Sequence, residues 1–416
     1  MTRNGRPGAV ATPDSLDTLV RGRRIIVCCG TGGVGKTTIA AAVALAGARA
    51  GRTTALVTID PARRLADALG LESLANDPRP VPLDGASGQL WACMLDAKAT
   101  FDDVVRRHAP TPERAERILA NSFYRNVSGS LGGTQEYMAT EKLYGLVNGE
   151  HADVPPFDLV VVDTPPTRNA LDFLTAPRRL TRLLDNRVFR IMMTPSRIGL
   201  RVVTAATDVL LRSVGKVVGA EVIADAVAFF QAFEGMEAGF RDRSQHILAL
   251  LHDNATGWVV VTSPRPEAVA EAMYFTERLA ESGISVAGLV ANRSTPRFGP
   301  VPTLPTNVAP ESVIAALVAD ATVLAERADR EDLVVAPLAA RIGGPVVRIS
   351  DKGNDVHDLD ALAAIGAQLV SDAAGPVLRP ARTSGASGGS GASGTSGASG
   401  ASGAPRTTVP RRAASR

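Results

Sequence analysis

Short apolar runs alternate along the chain with longer segments of helical character. Six runs rich in aliphatic residues stand out, at residues 24–29, 53–59, 157–162, 257–262, 285–291 and 333–336. Apolar strands separated by helices are typical of a mostly parallel sheet that is covered by helices on both faces. We therefore predict an α/β fold with at least six strands.

Helical patterns are clearest at residues 37–49, 134–147 and 266–282, and the last of these opens with Pro266 and Glu267, as helix N-termini prefer. Two longer stretches, near residues 100–150 and 168–255, lack strand character. The second contains aliphatic residues at helical spacing over 202–217 and 222–233. We expect these insertions to form a helical layer, either as additional packing or as a lid or client-binding subdomain.

The ends of the chain differ in composition from the rest. From about residue 382 the sequence becomes a Gly, Ala and Ser repeat that ends in four arginines, Arg406, Arg411, Arg412 and Arg416. Such a segment cannot bury enough apolar area to offset the entropy of ordering. We predict a disordered tail over 382–416, a disordered N-terminus over 1–18, and one domain over 19–375.

The charge balance and the lengths of the apolar runs bear on whether the protein binds nucleic acid or spans a membrane. The 45 Lys and Arg residues nearly balance the 42 Asp and Glu residues, for a net charge of +3, so no direct nucleic-acid partner is expected. The sequence has no apolar leader, and no apolar run of about 18 residues as a membrane span requires. We expect a cytoplasmic protein.

Cysteine and histidine do not form metal-binding patterns in this sequence. Cys28 and Cys29 are neighbours in an apolar run, where successive side chains point to opposite faces, and Cys93 stands alone. We interpret all three as core residues. The five histidines are scattered without the spacing of metal ligands.

The residues between the first apolar run and the first predicted helix match a phosphate-binding loop, Gly30-Thr31-Gly32-Gly33-Val34-Gly35-Lys36-Thr37. Glycines let main-chain N–H groups converge on phosphates, and the helix N-terminus favours negative charge. Lys36 can reach the β and γ oxygens, the Thr37 hydroxyl can ligate Mg²⁺, and Thr38 follows in the same turn. We therefore predict that this loop binds ATP and Mg²⁺.

This loop resembles the deviant Walker A motif of the dimeric SIMIBI-class ATPases, which include ArsA-like anion-pump, tail-anchored-protein targeting and partition ATPases. In that family an early lysine reaches across a dimer to the nucleotide of the other subunit, and this chain has Thr31 at that position. A threonine side chain is neutral and cannot supply the positive charge of that lysine. The resemblance thus implies either a heterodimer with a paralogue that keeps the lysine, or a weak ATPase that uses nucleotide structurally.

Two aspartates follow apolar runs. Asp60-Pro61-Ala62 is similar to switch I of the ArsA-like branch, which implies that Asp60 activates water beside the metal; alternatively, Asp60 caps the next helix. Asp163-Thr164-Pro165-Pro166-Thr167 resembles switch II, which implies that Asp163 is a Mg²⁺ ligand. The sequence departs from the usual switch II at Pro165, Arg168 and Asn169.

The family resemblance extends to a site for the adenine base. The segment that ends in Asn292-Arg293 resembles the family's adenine site, which implies that the Asn292 amide reads the base, although a turn-forming asparagine fits the same pattern. Residues 333–338 are similar to the family's final core strand, which implies that the loop at Pro337 encloses the base.

These residues together predict an ATP-hydrolysing subunit of an ArsA-like ATPase, paired with a paralogue or with a second copy. Hydrolysis would drive a conformational switch in transport or in targeting of a protein or membrane-associated client. The alternatives are a weakly active regulatory subunit and a partition-type ATPase. The chain lacks the Cys-x-x-Cys pair with which the targeting ATPases hold zinc, and its cysteines are not clustered for arsenite.

Overall fold

The computed structural model describes residues 15–60, 63–128, 133–151, 153–185, 225, 228–229, 232, 235–304, 309, 312–353 and 356–371. The described strands are β1 (Ile25–Gly30), β2 (Thr53–Thr58), β3 (Arg79–Val81), β4 (Gln89–Met94), β5 (Leu159–Asp163), β6 (Thr256–Thr262), β7 (Val286–Ser294) and β8 (Val346–Ser350). The predicted runs at 202–217 and, apart from four positions, at 222–233 lie outside the described residues, as does the tail over 382–416.

The described helices follow the predicted alternation with strands. They are α1 (Asp17–Gly22), α2 (Lys36–Arg49), α3 (Arg63–Ala68), α4 (Ala97–His108), α5 (Pro112–Ala120), α6 (Ser122–Ser128), α7 (Thr134–Val147), α8 (Thr167–Asp185), α9 (Glu237–His252), α10 (Pro266–Glu281), α11 (Val313–Ala339) and α12 (Leu359–Val370). None of these described helices is both long enough and apolar enough to cross a bilayer.

The eight strands form one sheet in the order β3-β4-β2-β5-β1-β6-β7-β8. All pairings are parallel except that of the edge strand β3 with β4. β2 to β5 lie on one side of β1, with β5 inserted next to it, and β6 to β8 lie on the other side, so the direction of winding changes at β1. Ligands of open α/β sheets bind beyond the carboxyl ends of the strands at such a switch point.

The α/β prediction is confirmed, and strand β1 shows why its sequence is apolar throughout. Ile25, Val27 and Cys29 pack into the core on one side of the sheet, with helices α4–α11. Ile26 and Cys28 pack on the other side, with α1, α2, α3 and α12. Since both faces of the strand are buried, no polar position is tolerated along it. All three cysteines are buried.

The sixth predicted strand is wrong. Residues 333–336 lie near the end of the 27-residue helix α11, in which Ala328, Val335 and Leu338 are buried. A four-residue apolar run does not by itself distinguish a buried strand from a helix. The edge strand is instead β8, where Val347 and Ile349 are buried.

The start of the domain lies closer to the N-terminus than residue 19. Leu16 is buried, and its main-chain N–H donates to the carbonyl of Leu369 at 2.8 Å. Residues 15–18 therefore take part in the described fold: residues 17 and 18 begin α1, and Leu16 bonds to the end of α12.

A buried ion-pair network joins helices on one side of the sheet. Arg243 of α9 donates to Glu141 of α7 at 2.7 Å and forms a two-pronged pair with Glu150. Arg107 of α4 also pairs with Glu150 at 2.7 Å. Because removing one partner of a buried pair leaves an unpaired charge, these contacts hold α4, α7 and α9 in a defined arrangement.

Candidate functional site

The loop between β1 and α2 has the backbone conformation of an anion-binding turn. Gly33 and Gly35 have φ angles of 75° and 87°, in the left-handed region that favours glycine. The N-cap residue of α2 is Gly35, which has no side chain to cap the helix, and the first N–H groups of a helix have no intrahelical partner. Such a terminus is suited to bind phosphate oxygens.

Lys36 folds back over the loop that precedes it. Its Nζ donates to the main-chain oxygen of Thr31 at 2.9 Å, and the residue is 8% exposed. Burial lowers the pKa of Lys36, while the charges of Asp163 and Asp60 raise it. The ammonium group therefore lies close to the two aspartates that the sequence associates with catalysis and metal binding.

Asp163 is the most buried charged group of the site. Its Oδ2 accepts hydrogen bonds from the hydroxyls of Thr37 at 2.8 Å and Thr58 at 2.9 Å. Its Oδ1 is buried and has no hydrogen-bond partner among the described residues. Burial raises the pKa of Asp163 to about 6, against the lowering effect of the two hydroxyl donors.

These contacts fit a magnesium ion. Mg²⁺ takes hard oxygen ligands and is held by one or two carboxylates together with water and phosphate. The Thr37 hydroxyl donates to one oxygen of Asp163 and leaves the other oxygen unpaired, and Asp60 lines the same cleft as Thr37. These oxygen atoms supply that chemistry. A nearby cation would also favour the charged form of the buried Asp163.

Asp60 lies at the carboxyl end of β2 with its side chain exposed. The Thr58 hydroxyl lies 3.0 Å from the main-chain oxygen of Asp60 and also contacts Asp163. Asp60 thus borders the same cleft as the phosphate loop, and its position is tied to Asp163 through Thr58. Its predicted roles, water activation and metal binding, stay predictions.

A cleft of about 270 Å³ brings together most of the predicted residues. Its lining includes part of the phosphate loop, the following turn and Asp60, namely Gly32, Gly33, Gly35, Lys36, Thr37, Thr38 and Asp60. The opposite wall comes from Arg293, Val356 and His357. Val356 and His357, which precede α12, therefore contribute to the lining of the cleft.

The position of Val356 and His357 at the cleft corrects the prediction for Pro337. The misassigned strand at 333–336 had placed a base-enclosing loop there, but Pro337 is an exposed residue in the last turns of α11. Val356 and His357, which follow the true last strand, line the cleft, and Pro337 does not.

Asn292 is brought to the phosphate loop by β7. It is 8% exposed, and its Nδ2 donates to the main-chain oxygen of Val34 at 2.8 Å. The amide nitrogen thus supports the loop in this conformation. Recognition of a base by Asn292 stays a prediction.

Two other predicted residues lie deeper in the loop. A Cβ at Gly30 would lie 2.0 Å from the main-chain oxygen of Val261, so only glycine fits beside β6 at this position. Thr31 is 3% exposed, and its hydroxyl has no partner among the described residues. No charge from residue 31 reaches the cleft.

The sequence interpretation did not single out Thr58 or His357, and it named Arg293 only as part of the Asn292-Arg293 segment, without a role of its own. Thr58 bridges the ends of β2 and β5, while Arg293 and His357 line the cleft. A hydroxyl two positions before Asp60 was a usable signal for Thr58. His357 could not be predicted, because its place at the cleft depends on which segment forms the last strand.

Comparison with known proteins decides the family. A model of the anion-transporting ATPase family matches residues 23–298, more than half of the chain. The chain belongs to this family. The match covers the phosphate loop, Asp60, Asp163 and Asn292, and thereby confirms the ArsA-like resemblance.

Relatives within and near this family share moderate identity with the chain. It is 31% identical to ATPase GET3 of Kluyveromyces lactis over 39% of this chain and 47% of the relative. It is 26% identical to ATPase GET3B of Arabidopsis thaliana over 69% of this chain and 70% of the relative. An uncharacterized protein of Streptomyces coelicolor is 30% identical over 67% of this chain and 64% of the relative. The chain therefore spans about half the length of the Kluyveromyces relative.

The packing of Asn292 on the loop generates a prediction for Gly35→Ala. A Cβ at Gly35 would lie 2.4 Å from Asn292 Nδ2, whereas a Cβ at Gly33 meets nothing within 4 Å. Both substitutions strain a positive φ, at about 1 kcal/mol. Gly35→Ala should lower the free energy of unfolding by about 1–2 kcal/mol more than Gly33→Ala, since it also displaces a buried hydrogen bond. Urea denaturation measures the difference, and equal losses would contradict the contact.

Proposed function

We propose that this chain binds ATP with Mg²⁺ and hydrolyses the γ-phosphate, as one subunit of a dimeric ATPase. The observation that carries the proposal is the buried Asp163, one oxygen of which accepts from Thr37 in the first turn of α2 while the other has no donor within the described part of the chain. A buried carboxylate oxygen without a partner is costly unless a ligand satisfies it. Membership of an ATPase family supports the same ligand.

The roles of the residues follow from their positions. The N–H groups of the loop and of the first turn of α2 would bind phosphate oxygens, and Lys36 would clamp the β and γ oxygens. Thr37 and Asp163 would hold Mg²⁺, which when bound neutralises charge on those oxygens. These groups position the triphosphate and stabilise the charge that develops during transfer.

Asp60 is proposed to act on the attacking water. It is exposed at the cleft and is fixed at the end of β2 by Thr58. Its carboxylate would accept a hydrogen bond or the proton from water, as the water oxygen bonds to the γ phosphorus. The bond from that phosphorus to the bridging oxygen breaks, and ADP and phosphate leave.

The partner is proposed to be a paralogue that retains the early lysine. Thr31 is buried and carries no charge, so this chain cannot give a cationic finger to a second copy. Such a contact contributes roughly 10³–10⁵ in rate in related phosphoryl transfers. In a heterodimer, the partner's lysine would contact the nucleotide bound to this chain. In a homodimer, both sites would lack that lysine and hydrolyse ATP slowly, which would favour a regulatory role.

A conformational switch toward a client is supported by the path of the chain after Asp163. Four residues beyond it α8 begins, and α8 packs against α7 and α9. The ion pairs of Arg243 join α9 to α7 and to Glu150. A movement at the end of β5 on hydrolysis would thus reach this helical layer, where a transported or targeted species would bind.

Replacing Asp60 by Asn tests the hydrolytic role. Because the amide retains size but cannot accept the proton, we expect turnover to fall at least about a hundredfold while ATP binding changes less than about threefold. The measurements are steady-state phosphate release, in the purified native complex or with the partner supplied, and calorimetric titration of ATP. Asp67, in the exposed surface of α3, provides the control Asp67→Asn. Normal turnover by Asp60→Asn would remove the assignment.

The partner proposal is tested in the complex from the native cell. Native mass spectrometry should show this chain with a related ATPase subunit, and that complex should hydrolyse ATP at least about a hundredfold faster than the isolated chain. A purified chain that turns over as fast as the complex would contradict the heterodimer. A complex that binds ATP without turnover would instead favour the regulatory subunit.

A further inference from the structure

Helix α11 packs against the rest of the described chain only through its C-terminal part. Of its 27 residues, Ala328, Val335, Leu338 and Ala339 are buried. No residue from 313 to 327 is buried in the described structure, although the helix is continuous through this range. About four turns of α11 therefore lie outside the core.

This uncovered part of α11 is apolar. Val313, Ile314, Leu317 and Val323 are between 54 and 75% exposed. Seven of the eight large exposed apolar side chains within the described part of the chain lie between residues 298 and 333. The solvent-facing side of a helix is normally polar, and a contiguous exposed apolar surface marks an interaction site. The N-terminal half of α11 thus has the character of an interface.

The spacing of the exposed side chains defines one face of the helix. Leu317, Asp320, Leu324 and Arg327 follow each other at intervals of three and four residues, and Val323 adjoins Leu324. Such intervals bring side chains to the same side of a helix. This pairing face therefore has an apolar centre, with a negative charge one turn before it and a positive charge one turn after it.

The two charged residues of the pairing face are available to a partner. Asp320 and Arg327 are exposed, and Asp320 takes part in none of the ion pairs that α11 forms with described residues. Arg327 pairs with Glu331 at 3.3 Å, but its own side chain is 68% exposed. Such an exposed pair contributes little to stability, so Arg327 can exchange it for another carboxylate.

The order of these residues matches a second copy of the same helix. When two identical helices pack antiparallel about a two-fold axis, each residue meets the one that lies equally far on the other side of the centre. A centre between Val323 and Leu324 places each of them beside the other residue of the second copy. The same register places Asp320 beside Arg327 of the second copy, and the reverse. One arrangement thus covers the apolar centre and pairs both charges.

We infer that two copies of this chain associate through antiparallel packing of their α11 helices, with apolar contacts of Val323 and Leu324 between reciprocal ion pairs of Asp320 with Arg327. Burial of the apolar residues favours association, and the charges fix the register. None of these residues lines the phosphate-loop cleft. The contact is therefore distinct from one that brings a partner's lysine to the nucleotide, and the inference does not rest on the proposed ATPase.

Charge reversal in the full-length chain, purified without nucleotide, tests this contact. Sedimentation velocity should show a concentration-dependent dimer for the wild type. Asp320→Arg and Arg327→Asp should each raise the dissociation constant at least about tenfold, because either change places like charges at both ion-pair positions. An equimolar mixture of the two variants should return the dissociation constant to within about threefold of the wild-type value, since both positions then join opposite charges again.

Two control variants separate the pairing face from general effects of substitution on α11. Glu326→Arg reverses an exposed charge outside this face, and Leu333→Ser removes an exposed apolar side chain outside it. Both should change the dissociation constant less than about twofold, whereas Val323→Ser, in the centre of the face, should raise it at least about fivefold.

A wild-type chain that stays monomeric at about 100 μM would overturn the inference. So would unchanged association of both charge-reversed variants, or a mixture that associates no better than its components. Protection of α11 from hydrogen exchange only in the complex from the native cell would assign the face to a different subunit and would also overturn it. Because association is measured without nucleotide, its failure would leave the proposed ATPase standing, and absence of ATP binding by a dimeric chain would contradict only the ATPase.

Discussion

The site depends on one carboxylate that joins three strand ends. Asp163, at the end of β5, accepts hydrogen bonds from Thr37 at the start of α2 and from Thr58 at the end of β2. Thr37 comes after β1, Thr58 ends β2 and Asp163 ends β5. Both hydrogen bonds to the carboxylate therefore require that the three strands keep their parallel register. Packing of apolar strands thus serves to place polar atoms at one edge of the sheet.

Residues with strong local constraints were predictable from the sequence. Gly30 must lack a Cβ beside β6, and Gly33 and Gly35 need left-handed backbone, so their pattern alone indicates a phosphate loop. The strands β1, β2, β5, β6 and β7 each contain a run of aliphatic residues that is buried on both faces of the sheet, which makes them recognisable as well.

Residues whose position depends on the tertiary fold were not predictable. The run at 333–336 belongs to α11, because the buried residues of that segment recur with helical spacing from Ala328 to Leu338. Because of that error, the last strand was predicted at the wrong segment, and His357 was not predicted to line the cleft.

Calorimetric titration of the purified chain with ATP in the presence of Mg²⁺ tests the central claim most directly. The account predicts saturable binding of one nucleotide per chain, which requires Mg²⁺ for full affinity and is lost in Lys36→Ala. Absence of binding by a folded wild-type chain, or undiminished binding by Lys36→Ala, would contradict it.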